Sequence, residues 1–148
     1  MKQKILSFIF SEGKFLALYS KPHPEHGSGG WFVLTGSVEK NETREQAVRR
    51  EIKEETNLDV LELSFLNWGS IYNWGMDACE EQNFFSLVKH GKIILNEEHS
   101  EFKWLELDEF IKLIKWDDDK KILKKVLKNA IKKKKFFKEL NIIDYRKK

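Results

Sequence analysis

Residues 36–58 read GSVEKNETREQAVRREIKEETNL. Thr43 is a good helix N-cap, and Gln46 three residues on completes a capping box. Neither glycine nor proline occurs from Arg44 to Thr56, so the stretch 43–56 is predicted to be one uninterrupted helix. At about 100° per residue, Ala47, Val48 and Ile52 share an apolar side. Glu51, Glu54 and Glu55 fall on that same side, within about 100° of one another. Gln46, Arg49 and Lys53 take the far side, as ordinary solvent residues.

That arrangement is costly. Glu51 and Glu55 are a like-charge i,i+4 pair, and Glu51 and Glu54 a like-charge i,i+3 pair. All three sit near the negative end of the helix, where anions are disfavoured. Arg50 offsets part of this, although its pairing with Glu54 has the weaker orientation. Glutamates are good helix formers and could simply coat a wet face, but their place on the apolar side argues against that. The missing compensation is a hard divalent cation. Clustered carboxylate oxygens suit Mg²⁺, with Mn²⁺ as a possible substitute, rather than zinc.

Outward from this helix, strands are predicted over 4–10, 15–19, 31–34, 83–89 and 102–107, with a strand or bent strand pair over 58–68. Residues 12–14 read as a hairpin turn. Both prolines lie in 21–30, which reads as a loop, and 69–81 reads as a loop carrying Tyr72 and Trp74. Residues 91–100 form a polar connection. Asp108 is expected to cap a short helix to about 115, and Asp117, Asp118 and Asp119 to start a last helix over about 117–138. Strands and helices alternate irregularly, so an α/β fold with a mixed sheet is expected.

The chain has 148 residues, 41% hydrophobic and 34% charged, enough for a core and for one domain over 1–148. Cys79 is the single cysteine, which excludes an internal disulfide framework. No apolar run suits a membrane span, and the N-terminal apolar stretch is too short for a signal peptide, so a cytoplasmic protein with no membrane partner is expected. Residues 1–116 carry a balance of −5 and residues 117–148 one of +8. Ile122, Leu123, Val126, Leu127, Ala130 and Ile131 recur at helical spacing, so the intervening lysines read as the wet face of an amphipathic helix packed on the domain. Nucleic acid is the less favoured partner, because aromatic interleaving is poor before Phe136 and Phe137.

Gly36, five residues, Glu42, seven residues, then Arg50-Glu51-Ile52-Lys53-Glu54-Glu55-Thr56-Asn57-Leu58 resembles the Nudix box, G-x5-E-x7-R-E-U-x-E-E-x-G-U with U aliphatic. Six defining positions match, a coincidence on the order of 10⁻⁷ per start position. The resemblance implies an α/β/α Nudix sandwich with a central mixed β-sheet. It implies hydrolysis of a nucleoside diphosphate linked to another group, with Mg²⁺ as cofactor. By the same resemblance Glu51 and Glu55 are the main metal ligands and Glu54 a ligand or base. Glu42 and Arg50 hold loop and helix together by an ion pair, Arg50 thereby joining the catalytic set, and Gly36 lets the chain turn close to the metal site. The box's second glycine is Asn57 here. Asparagine is the next best residue for a left-handed helix C-terminus, so a small stability cost and intact chemistry are expected.

Two further stretches resemble the bacterial dihydroneopterin triphosphate (dATP) pyrophosphohydrolases. One is the run from Trp31 to Glu39 with Leu34-Thr35-Gly36. The other is Glu98-His99 followed by Phe102-Lys103-Trp104-Leu105. The second implies that Glu98 is a third metal ligand or the base. Diadenosine tetraphosphate hydrolases share the Glu-His…Trp-Leu segment but usually carry Pro-Lys-Gly before the box, and MutT-like enzymes Pro-Gly-Gly. Thr35 therefore favours a nucleoside or pterin triphosphate as the small-molecule substrate, cleaved to monophosphate and pyrophosphate, with the dinucleoside polyphosphate as the alternative. A non-catalytic nucleotide-binding regulator is disfavoured by the intact box, and an RNA-end processing enzyme would use the basic C-terminus. Lys21 could meet a phosphate or be a plain surface lysine. Tyr72 and Trp74 could stack on a base or pterin, or merely close over the core. Trp31 and Trp104 read as core, the four histidines lack metal spacing with His99 at most orienting a ligand, and Cys79 has no nearby base. Oligomeric state is not readable from one chain.

Overall fold

The computed structural model describes residues 1–22, 29–74, 76–132 and 142–144. β1 (Lys2–Ser11) is apolar on both sides, which suits a strand buried on both faces. Ile5 and Ile9 point one way and Leu6 and Phe8 the other, and all four are buried. Glu12 and Gly13 turn the chain with φ of 50° and 80°, a hairpin-type turn, into β2 (Lys14–Ser20). β3 (Gly30–Phe32) pairs with β2, and β4 (Leu34–Ser37) runs antiparallel to β1, with Ile5 opposite Gly36 and Leu6 opposite Thr35.

The predicted helix is α1 (Arg44–Thr56). Thr43 caps it with both halves of the capping box formed, and Asn57 ends it in the left-handed conformation at φ 68°. Beyond it, β5 (Val60–Trp74) and β6 (Asp77–Val88) form a long antiparallel hairpin. This corrects the expectation of a loop over 69–81. These residues lack a clean apolar alternation, but β6 lies parallel to β1 from Lys2 opposite Cys79 to Phe10 opposite Leu87. Backbone pairing on both sides thus imposes extended structure where composition alone suggested none. The long strand bends at a register shift between Phe65 and Gly69, where Asn67 has φ 54°. A Cβ at Gly69 would lie 2.1 Å from the Glu81 carbonyl oxygen, so only glycine fits there.

β7 (Glu101–Leu105) pairs with β2, and α2 (Leu107–Leu113) follows. The N-cap of α2 is Glu106, not the expected Asp108. Leu107 enters the helix to pack on the core, which places Asp108 in the first turn. There it accepts an ion pair from Lys124 Nζ at 2.7 Å, tying α2 to α3 (Lys120–Ile131). Of the three aspartates only Asp119 caps α3, accepting from the Lys121 amide at 2.8 Å, so that helix starts later than the expected 117. The stretch 133–138, also expected to be helical, lies outside the described residues, as do His23 and His26. β8 (Ile142–Asp144), which the sequence did not suggest, runs parallel to β5.

The sheet is mixed, in the order β3-β2-β1-β6-β5-β8, with β4 also on β1 and β7 also on β2. α1 covers one face through Ala47, Val48 and Ile52, packed with Ile5, Ile9, Leu16 and Phe84. α2 and α3 cover the other through Phe110, Leu123, Val126 and Leu127, packed with Leu6, Phe8, Phe15 and Phe85. This is the α/β/α sandwich. Among the described residues no helix is long and apolar enough to cross a membrane.

Candidate active site

Arg50 organises the loop before α1 and the acidic side of the helix together. Its Nε donates to Glu42 Oε2 at 2.7 Å and its Nη2 to Glu42 Oε1 at 3.0 Å, the two-pronged geometry that only a guanidinium gives. Nη2 also donates to the Ser37 carbonyl at 2.9 Å, and Nη1 to Glu51 at 2.9 Å and Glu54 at 3.3 Å. The Arg50 hydrogen bonds, helped by the Glu39 amide, hold the Glu42 carboxyl down to about 2. The hydrogen bond to Glu42 in turn pushes the guanidinium above its already high value. The expected Glu42–Arg50 pair is therefore present.

On the same side of α1, Glu55 is 2% exposed, and its Oε2 is buried with no hydrogen-bond partner. Burial, then the neighbouring Glu98 and Glu51 carboxylates, push the Glu55 carboxyl up to about 10. Burial raises Glu51 as well, against the pull of Arg50. A Cβ at Gly36 would lie 2.6 Å from Glu51 Cδ, so any larger residue there would displace the Glu51 carboxylate from its place beside β4.

Glu98 arrives from far along the chain because its connection is pinned. The Ile94 amide donates to the Thr56 carbonyl at the end of α1 at 3.0 Å, the Ser100 amide to the Tyr19 carbonyl at 3.0 Å, and the Glu98 amide to Asn96 Oδ1 at 3.0 Å. Potential ligand atoms of Glu55, Glu98 and His99 thereby come within 4.8 Å of one another. Burial lowers the His99 pKa, which favours the neutral imidazole, and its Nδ1 is buried without a partner. An orphaned buried oxygen on Glu55 among neighbouring carboxylates fits a hard divalent cation such as Mg²⁺, and the imidazole is compatible with Mn²⁺. Glu54 stands apart from this group. It is exposed and held by Arg50.

The reverse face of β4 opens on a cleft of about 520 Å³. Thr35 lines it, while the next residue, Gly36, abuts Glu51, so cleft and carboxylates meet across one strand. Its walls include Phe32, Trp68 and Trp116, with the Trp116 ring centroid 5.4 Å from Trp68 and 6.1 Å from Phe32. Tyr72 also lines it, and its hydroxyl donates to Glu81 Oε2 at 3.2 Å. Burial pushes Glu81 up to about 7 and drives Tyr72 well above the usual phenol value. Lys21 is exposed just past β2 and does not line the cleft, and the side chain of Trp74 lies outside the described residues. Trp31 packs against the α2–α3 core beneath Lys103 Nζ, 4.9 Å from its ring, and Trp104 packs on the α1 side.

Sequence reasoning missed Glu81, Asn83 and Trp116 as cleft residues and underrated His99. Glu81 shares a parity on β6 with Asn83 and Phe85, a signal that reading 69–81 as a loop made unusable for Glu81, whereas Asn83 lay within the expected strand 83–89 and was overlooked.

The NUDIX domain profile matches residues 4–126, and the chain belongs to the Nudix family. It is 36% identical over 89 residues to an NAD-capped RNA hydrolase of Vibrio vulnificus, covering 58% of this chain but only 32% of that protein. The chain thus spans about a third of the length of such relatives. It is 29% identical over 142 residues to the dihydroneopterin triphosphate diphosphatase of Escherichia coli K12, covering 85% of this chain and 92% of that one. Among solved structures, a NUDIX hydrolase from Nitrosomonas europaea superposes with a TM-score of 0.73 at 22% identity, over 97% of this chain and 78% of that one, a likeness of fold.

Proposed function

We propose that this chain is a divalent-metal-dependent pyrophosphohydrolase that cleaves a nucleoside or pterin triphosphate to the monophosphate and pyrophosphate. One observation carries the reading. The buried, unpartnered Glu55 oxygen lies near Glu98 and His99 on one side of β4, and a cleft of about 520 Å³ with aromatic walls, ample for a heterocycle, lies on the other. The near end-to-end relationship with a dihydroneopterin triphosphate diphosphatase supports the substrate class.

Glu51, Glu55 and Glu98 would hold the cation, with His99 beside them. When bound, Mg²⁺ supplies neutralisation and polarisation of the phosphate oxygens. Arg50 fixes Glu51 and clamps the loop that carries Gly36 and Ser37 against the helix, so the carboxylates are positioned before substrate arrives. As the alternative to holding the cation, Glu98, the exposed member of the group, would accept the proton of the attacking water, while Glu54 remains paired with Arg50. The aromatic walls of the cleft would hold the heterocycle.

The test is a substrate panel with Mg²⁺ that separates pyrophosphate from phosphate release. It includes the nucleoside triphosphates, dihydroneopterin triphosphate, diadenosine tetraphosphate and NAD-capped RNA. Pyrophosphate release from a triphosphate, reduced at least about 100-fold in Glu55→Gln, is expected. Preferred cleavage of the dinucleotide or the capped RNA would reassign the substrate, and binding without turnover would make the chain a sensor.

A further inference from the structure

From Lys120 to Lys132 the chain carries six lysines and no acid. Two of them are engaged within the fold: Lys124 is paired with Asp108, and Lys120 Nζ donates to the Lys112 carbonyl at 3.4 Å. The other four, Lys121, Lys125, Lys128 and Lys132, are exposed. Among the described residues none of their ammonium groups meets a hydrogen-bond or ion-pair partner, and Lys128 acts on Asp108 only through its field. At about 100° per residue these four fall within about 60° of one another, in a single row along the helix. At about 1.5 Å per residue the row is about 17 Å long, with neighbours about 4.5 to 6 Å apart. Like charges at i,i+3 and i,i+4 repel, so the row weakens the helix until a counter-charge meets it.

The other side of α3, through Leu123, Val126 and Leu127, is buried in the core. What α3 offers to solvent is therefore the lysine row and not an apolar face suited to a lipid surface. A row of cations complements a row of anions held at the same scale. Successive phosphates of a nucleic-acid strand are such a row, and a single row of lysines follows one strand rather than the two of a duplex. The poor aromatic interleaving that disfavours nucleic acid in the sequence concerns base stacking and leaves phosphate contacts untouched. The row starts three residues past Asp118, which lines the cleft. We propose that the exposed lysine row of α3 is a binding surface for the phosphate backbone of a single-stranded nucleic acid, held without regard to its base sequence.

The experiment is fluorescence anisotropy of a labelled oligothymidylate of about 12 nucleotides with a 5′-hydroxyl end, in EDTA, so that hydrolysis plays no part. Four phosphate contacts on a single strand predict a slope of log K against log salt near about −3. That is about 50-fold weaker binding at about 200 mM than at about 50 mM NaCl. Combining Lys121→Gln, Lys125→Gln, Lys128→Gln and Lys132→Gln is expected to weaken binding at least about 30-fold at the lower salt. Glutamine keeps the helix propensity, so the melting temperature should not fall. The control removes the same charge elsewhere, through Lys14→Gln, Lys40→Gln, Lys89→Gln and Lys92→Gln, all exposed, and is expected to bind within about threefold of wild type. Equal losses in the two variants would mean that net charge alone is read, and would overturn the proposal. So would no binding at the lower salt, or a wild-type slope flatter than about −1, a reading that needs no variant. Vesicles containing phosphatidylserine, bound while the oligonucleotide is not, would assign the row to a membrane surface instead. Failure of oligonucleotide binding leaves the hydrolase reading standing, and inactivity on every triphosphate leaves the lysine row standing.

Discussion

Glu55 shows how burial turns a side chain's titration into a property of the whole fold. In the unfolded chain it ionises near 4.5, whereas in the folded protein burial keeps it protonated up to about 10. Between those values the folded state holds one more proton than the unfolded state. The associated stability is complete below 4.5 and is lost as pH rises toward 10, by no more than about 1.4 kcal/mol per pH unit. Glu81 acts in the same direction between 4.5 and about 7. In EDTA the urea midpoint is therefore expected to fall from about pH 5 to 9, less steeply in Glu55→Gln. A bound cation prefers the carboxylate, so Mg²⁺ should flatten the wild-type profile and release protons on binding. A midpoint indifferent to pH in EDTA would contradict this account.

At the level of elements, α1 was almost fully legible in the sequence. Thr43, Gln46 and Asn57 are local signals, and local signals survive into the structure because nothing distant competes with them. The acidic side of the helix was legible for a related reason. Its cost is visible within one turn, and the structure buries Glu55 and half-buries Glu51 but leaves Glu54, which the same reading placed with them, exposed and paired with Arg50. The β5–β6 hairpin was not legible, since its extended form near Tyr72 and Cys79 depends on pairing with β1, more than 70 residues away. Glu81 on β6 was hidden with it, and His99 was hidden because its neighbour Glu55 lies 44 positions earlier. Asn57 allows a direct check on helix termination. At φ 68° a Cβ is mildly strained, so Asn57→Gly is expected to raise stability by a few tenths to about 1 kcal/mol, read as a higher melting temperature. A lower one would mean that the asparagine side chain makes a stabilising contact.

For the molecule as a whole, β6 lies between β1 and β5, with Cys79 fully buried on it opposite Lys2 and Tyr72. The thiol can meet a reagent only when strands part. Cys79 is expected to react with a disulfide reagent at the rate of global unfolding, with the same dependence on denaturant. Rapid labelling of the native protein would show that the β5–β6 hairpin opens on its own. The α/β/α layering was foreseeable from the box and the irregular alternation of elements. The order of the strands was not, because it is set by long-range register rather than by any local run.

β4 is a party wall. Thr35 faces one room and Gly36 the next, and the period of a strand guarantees that neighbours in the chain are strangers in space. On the proposed function, substitutions on the Thr35 side would alter what is recognised without disturbing the carboxylates behind Gly36. A lineage built on this wall would then be free to drift in its diet while the bond it breaks stayed the same.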